Sequence, residues 1–152
     1  MKRIVLPILL LLLLFSSCAG ESKRAYPNCI IDDSVRIRYM QCDFTAHIKT
    51  EQTGKLTALI ENPDTIKGIT VVCDEDGMTV KCGDLEIEPN GGYLPFSMLY
   101  EVLKTANASE PVSVKENGEK IIFQYDDFSI ETDSETKKIE HIDAKNCVYE
   151  MR

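Results

Sequence analysis

The chain predicts an α+β fold that is mainly antiparallel β: about nine or ten short strands in a sheet wrapped around one mid-chain helix. Three observations predict it. Apolar and polar residues alternate with period two through most of the chain beyond residue 34. Turn-forming groups such as Thr53-Gly54, Asn62-Pro63-Asp64, Asp76-Gly77 and Asn117-Gly118 punctuate the alternation at short intervals. A single segment, residues 95–107, carries apolar residues at helical spacing instead. Wrapping the sheet around that helix is the simplest way to bury both apolar faces.

The clearest alternation is Met40, Cys42, Phe44, Ala46 and Ile48, interleaved with Gln41, Asp43, Thr45 and His47. It reads as a half-buried strand of about ten residues. Upstream, Val35 and Ile37 are apolar on the opposite parity, so a bulge or register switch is expected near Arg38-Tyr39. After Thr53-Gly54, residues 55–61 place Leu56, Ala58 and Ile60 on one face, and Asn62-Pro63-Asp64 stops the strand. Ile69, Val71 and Cys73 run into Asp74-Glu75-Asp76-Gly77, and Met78, Val80 and Cys82 return. This is a hairpin with glycine where the turn takes positive φ. Leu85 and Ile87 close a fifth short strand before Pro89-Asn90-Gly91-Gly92.

Pro95 suits a first helical position. Phe96, Leu99, Tyr100 and Leu103 then form an apolar stripe, widened by Met98 and Val102 and ended by Asn107 through Pro111. The remainder returns to strands at residues 112–115, 119–125, 128–132, 138–142 and 147–151. Asn117-Gly118, Asp126-Asp127 and residues 133–136 supply the turns.

The N-terminus carries a targeting element: Met1-Lys2-Arg3, an apolar run from Ile4 to Phe15, then Ser16-Ser17-Cys18. The run has the length of a signal-peptide core and falls short of the roughly 20 residues that span a bilayer. Pro7 within it also argues against a long regular helix. Phe15-Ser16-Ser17-Cys18 resembles the lipobox of bacterial lipoproteins, with Phe15 where leucine is usual. The resemblance implies that Cys18 becomes the first residue and carries acyl chains. Ordinary secretion is the alternative, since Ser17-Cys18-Ala19 also fits a small-x-small cleavage site and would leave a soluble protein starting at Gly20. The expected organisation is a signal peptide at 1–17, Cys18 and a polar tether at 18–28, and one domain at 29–152. The expected location is the outer face of the bacterial cytoplasmic membrane.

The whole chain has a net charge of −8, from 17 basic and 25 acidic residues. Loss of Lys2 and Arg3 with the signal leaves 15 basic residues against 25 acidic, a net charge of −10. That balance disfavours nucleic acid and electrostatic docking on anionic headgroups. Lipid, rather than a basic patch, would hold the protein at a membrane.

Beyond Cys18 lie Cys29, Cys42, Cys73, Cys82 and Cys147, with no Cys-x-x-Cys spacing to suggest zinc or a dithiol site. Most sit at apolar-face positions and read as small hydrophobes, with a staple between Cys29 and Cys147 left open. His47 and His141 are far apart and read as surface residues. No Gly-rich phosphate loop, His-Glu-x-x-His pair or Gly-x-Ser-x-Gly elbow occurs. Asp74-Glu75-Asp76-Gly77 lacks the twelve-residue calcium loop and reads as a solvated turn, as do Asp32-Asp33 and Asp126-Asp127. Asn107-Ala108-Ser109 fits a glycosylation acceptor, relevant only in a eukaryotic host. No cofactor, metal or catalytic residue is expected, and the chain reads as a non-enzyme.

The order of elements resembles the LolA/LolB-like lipoprotein-carrier superfamily, particularly its small membrane lipoproteins in Firmicutes. Three features carry the resemblance, over residues 35–151. They are a long first strand with Asp43-Phe44-Thr45-Ala46-His47-Ile48, a passage from Glu61-Asn62-Pro63-Asp64 to Gly68-Ile69-Thr70-Val71, and a Gly-turn hairpin followed by the helix. It implies a curved, open half-barrel with a helical lid, whose concave face binds acyl chains. The candidate lining is then Phe44, Ile48, Leu56, Ile60, Val71, Val80 and Ile87, facing Phe96, Leu99 and Leu103. The mature chain is shorter than typical carriers, and its lipobox-like signal implies that it is lipidated itself. The expectation is therefore an anchored, non-enzymatic lipoprotein that binds an acyl chain or a lipidated protein. The alternative is an envelope protein-interaction module with a closed core and no small ligand.

Overall fold

A computed structural model describes residues 26–89 and 94–152. The expected signal peptide, Cys18, most of the expected tether and residues 90–93 lie outside the described residues. Among the described residues, eleven strands surround one helix. They are β1 (Asp32–Tyr39), β2 (Cys42–Thr50), β3 (Leu56–Asn62), β4 (Thr70–Asp74), β5 (Gly77–Cys82) and β6 (Leu85–Ile87), then α1 (Pro95–Ala108). Beyond the helix come β7 (Ser113–Asn117), β8 (Lys120–Gln124), β9 (Phe128–Asp133), β10 (Ile139–Ala144) and β11 (Cys147–Met151).

All strands belong to one open antiparallel sheet, in the order β6-β5-β4-β3-β2-β1-β11-β10-β9-β8-β7. Sequence neighbours are spatial neighbours except for β6 and β7, and at a central seam the first strand pairs with the last. There Val35 faces Met151 and Tyr39 faces Cys147. The two edges are β6 and β7, the strands that flank the helix in sequence. The connection carrying α1 therefore runs from one free edge to the other and lays the helix over the inner face. The α+β half-barrel with a single mid-chain helix is thus present.

The strand count is eleven rather than nine or ten, for a local reason. The parity change near Arg38-Tyr39 is neither a bulge nor a register switch within one strand. The chain reverses there at Met40-Gln41, with Met40 at φ 53° and 74% exposed. In the resulting β1–β2 hairpin Val35 pairs with Ala46 and Ile37 with Phe44, so the two parities meet on the same inner face. Register irregularities lie elsewhere, between Thr45 and Ala46 and between Ile139 and His141.

One continuous core fills the inner face. It joins Val35, Ile37, Ala46, Ile48, Leu56 and Val71 of one half with Ile121, Phe123, Ile130, Ile142 and Tyr149 of the other. The outer face is polar and carries cross-strand ion pairs: Arg36 with Asp43, Arg38 with Glu150, and Lys120 with Glu131 and Glu140. These pairs are exposed and individually add little stability.

Pro95 opens α1 as expected, and Ser109 N–H closes it by donating to the Thr105 carbonyl at 2.8 Å. The start of the helix is anchored to the seam. Tyr149, fully buried on β11, donates its hydroxyl to the Pro95 carbonyl at 2.6 Å. Phe96 meets Phe44 edge-to-face, with ring centroids 5.7 Å apart. Replacing Tyr149 by Phe removes this bond, while the Pro95 carbonyl, in the first turn of the helix, keeps its place in the helical ladder. The expected loss is about 0.5–1.5 kcal/mol of unfolding free energy, measured by urea titration. A change below about 0.5 kcal/mol would mean that the bond does not hold the helix in place.

Candidate functional site

The residues expected to line a cavity divide by position. Ile48, Leu56, Ile60 and Val71 on the sheet and Phe96, Leu99 and Leu103 on the helix are all buried within the one core. Phe44 is half-buried against Phe96. Val80 is half-buried on β5. Opposite it in register, Ile87 on the edge strand is 49% exposed.

An open groove lies on the inner side of the other half, between α1 and the ends of β8, β9 and β10. Its volume is about 390 Å³. The apolar wall is Met98 and Val102 from the helix, with Val112, Tyr125, Phe128 and Ala144 from the sheet and its connections. The polar lining is Thr105, Ser109, Glu101, Glu110, Asp126, Asp127 and Lys145. Four carboxylates thus stand against one ammonium.

The local sequence explains this shape. Met98 and Val102 broaden the helix stripe towards this side: Val102 belongs to the core, and Met98 is half-buried against it. Tyr125 and Phe128 bracket the Asp126-Asp127 turn, and Tyr125 N–H donates to the Phe128 carbonyl at 2.9 Å. Their rings stack with centroids 4.4 Å apart and planes inclined by 17°. The turn therefore carries two acids outward and two aromatic rings inward. Tyr125 is only 4% exposed, and its hydroxyl is buried with no hydrogen-bond partner. Burial raises its pKa from the ordinary 10.0 to about 12, so it stays a neutral hydroxyl at physiological pH. At the rim, Tyr26 donates its hydroxyl to Glu110 Oε1 at 3.4 Å, which brings the start of the described chain beside the groove.

Tyr125, Phe128, Val112 and Ala144 were not legible as site residues in the sequence. An aromatic residue on each side of an Asp-Asp turn was the available signal.

The remaining candidates fall elsewhere. His47 Nε2 lies 3.0 Å from Asp32 Oδ1 on the outer face. Asp74 accepts the Asp76 N–H at 3.0 Å, so this carboxylate organises its own turn. Among the described residues no three His, Cys, Asp or Glu side chains are grouped to hold a metal. Cys29, Cys42, Cys73, Cys82 and Cys147 are all free thiols. The staple between Cys29 and Cys147 is not formed. Cys29 lies beside Thr50, just before β1, whereas Cys147 pairs with Tyr39 at the far end of that eight-residue strand. Cys29, Cys73 and Cys147 are buried, while Cys42 and Cys82 are exposed. Burial pushes the Cys29 thiol from 9.0 to about 11, and the Cys73 thiol to about 12.

Comparison of the chain with protein-family models, with curated proteins and with solved structures gave no match.

Proposed function

We propose that this chain is an exported lipoprotein, tethered through Cys18 to the outer face of the bacterial cytoplasmic membrane. It binds an acyl chain, or the lipidated end of another protein, and is not an enzyme. The observation that carries this reading is the groove beside α1, with six apolar residues in its wall. Its volume of about 390 Å³ is near the lower end for ligand sites, sized for one chain rather than several. The buried stripe of Phe96, Leu99 and Leu103 over Ile48, Leu56, Ile60 and Val71 is then the packed base that holds the helix up beside the opening. The resemblance to the lipoprotein-carrier superfamily supports the same reading, through its open half-barrel and helical lid.

Native mass spectrometry tests it, on the protein released gently from the membrane fraction. The expected result is a bound mass of lipid size. That mass should be lost in Met98→Glu, which puts a charge in the groove wall without entering the fully buried core. A clean apo mass that stays unaltered after incubation with lipids would sink the reading.

A second reading is a protein-docking module, favoured by the two free sheet edges. Leu85 and Ile87 are exposed on β6, and Val112 and Val114 on or beside β7. Unpaired edges with apolar side chains are templates for an added strand.

A further inference from the structure

We propose that the chain's own tether, residues 19–25, lies across the groove as a strap, with the stems of Lys23 and Arg24 on its apolar wall. An acyl ligand then enters by displacing the strap. That second statement rests on the acyl-binding reading; the first stands without it.

The described chain begins at the groove. Tyr26 donates its hydroxyl at 3.4 Å to Glu110, a lining residue. Cys29 and Tyr26 both bear electrostatically on the buried hydroxyl of Tyr125, which also belongs to the lining. The next residues pin this start to both halves of the sheet. Asn28 forms a parallel bridge with Lys138, just before β10. The Ile31 N–H donates at 2.7 Å to the hydroxyl of Thr50, the last residue of β2. The point where the tether leaves the domain is therefore fixed at the rim.

Arg24 and Lys23 precede Tyr26 by two and three residues. A chain advances at most about 3.3–3.6 Å per residue, so their Cα atoms lie within about 7 Å and about 11 Å of that of Tyr26. So short a link holds the segment beside the groove at an effective concentration on the order of millimolar. Lys and Arg lay their methylene stems along apolar surface and keep their charged heads in water. The wall offers Met98 and Val112, the latter 68% exposed, to the stems. Glu101, Asp126 and Asp127 stand at its edge for the heads. Exposed carboxylates of this kind occur elsewhere on the chain and select nothing by themselves. The groove differs because the chain enters the domain there and brings two bases with it.

The test uses the full chain, purified gently from the membrane fraction, in two measurements. In the first, carbodiimide joins lysine amines to carboxylates in direct contact, and the products are mapped by mass spectrometry. Lys23 is expected to join Asp126, Asp127 or Glu101, with a lower yield at raised salt. Links confined to Glu110, which neighbours Tyr26 in any case, would overturn the strap, as would no link from Lys23 at all. In the second, the protein sits in phosphatidylcholine vesicles with an alkyl glucoside that carries a diazirine on its chain. The double variant Lys23→Gln, Arg24→Gln leaves every described residue unchanged. It is expected to raise labelling of peptides holding Met98 and Phe128 roughly threefold or more, as release of two exposed charge pairs would give. Equal labelling of the two proteins would overturn displacement by the ligand and leave acyl binding standing. Groove labelling in neither would overturn the acyl-binding reading itself, while the carbodiimide links still decide the strap.

Discussion

A Leu99→Ala chain is expected to lose about 2–5 kcal/mol of unfolding free energy, read as a lower urea midpoint. Leu99 is fully buried in the middle of the α1 stripe and belongs to the core that spans the inner face. Truncation removes its burial and leaves a cavity that the surrounding strands cannot fill without moving. Domains of this kind are stable by roughly 5–15 kcal/mol, so one truncation would consume a large share. The helix forms one wall of the groove, so the variant should also weaken the acyl-chain binding proposed above before it unfolds. A loss below about 1 kcal/mol would mean that α1 rests on the sheet rather than being part of its core.

Stability is expected to fall steeply as pH rises from about 9 towards 12. Cys29 and Cys73 have an ordinary pKa of 9.0 when unfolded and about 11 and about 12 when folded. Below pH 9 both states keep the protons and the fold has its full stability. Between 9 and 11 or 12 the unfolded chain releases protons that the folded chain retains, so alkali favours unfolding. Each pKa unit is worth about 1.4 kcal/mol, so the two thiols together remove several kcal/mol. Tyr125, raised from 10.0 to about 12, adds to the loss in the same direction. Urea midpoints at pH 8, 9.5 and 11 measure the fall. Cys73→Val keeps an apolar side chain there and removes the titrating group, so its decline should be shallower. Identical declines in the two proteins would refute the assignment to buried thiols.

Much of the fold was legible because strand parity is a strict code. Leu56, Ala58 and Ile60, then Val71 and Cys73, then Ile121 and Phe123, alternate cleanly and all end on the inner face. The helix was legible from Pro95 and a stripe that no strand could use. The miscounted strand shows where the code runs out. Met40-Gln41 has no glycine, asparagine or proline to mark a reversal, and Met40 adopts positive φ without being a residue that favours it. A hairpin there looks like a parity slip within one long strand. The groove was less legible for a different reason. Met98 and Val102 were visible as a broadened stripe, but their partners Tyr125 and Phe128 come from the other side of the seam. That juxtaposition depends on β1 lying beside β11, a pairing of residues more than a hundred apart that no local pattern encodes.

That seam also sets a schedule. Strands β1 to β6 can zip as one meander and β7 to β11 as another, each using only nearby contacts. The bond rows that join them need Cys147–Met151, the last strand in sequence. Closing so long a loop is entropically expensive and slow. A chain emerging from its N-terminal end therefore holds β1 as a bare edge until Cys147–Met151 has appeared. Only then can the two meanders become one sheet.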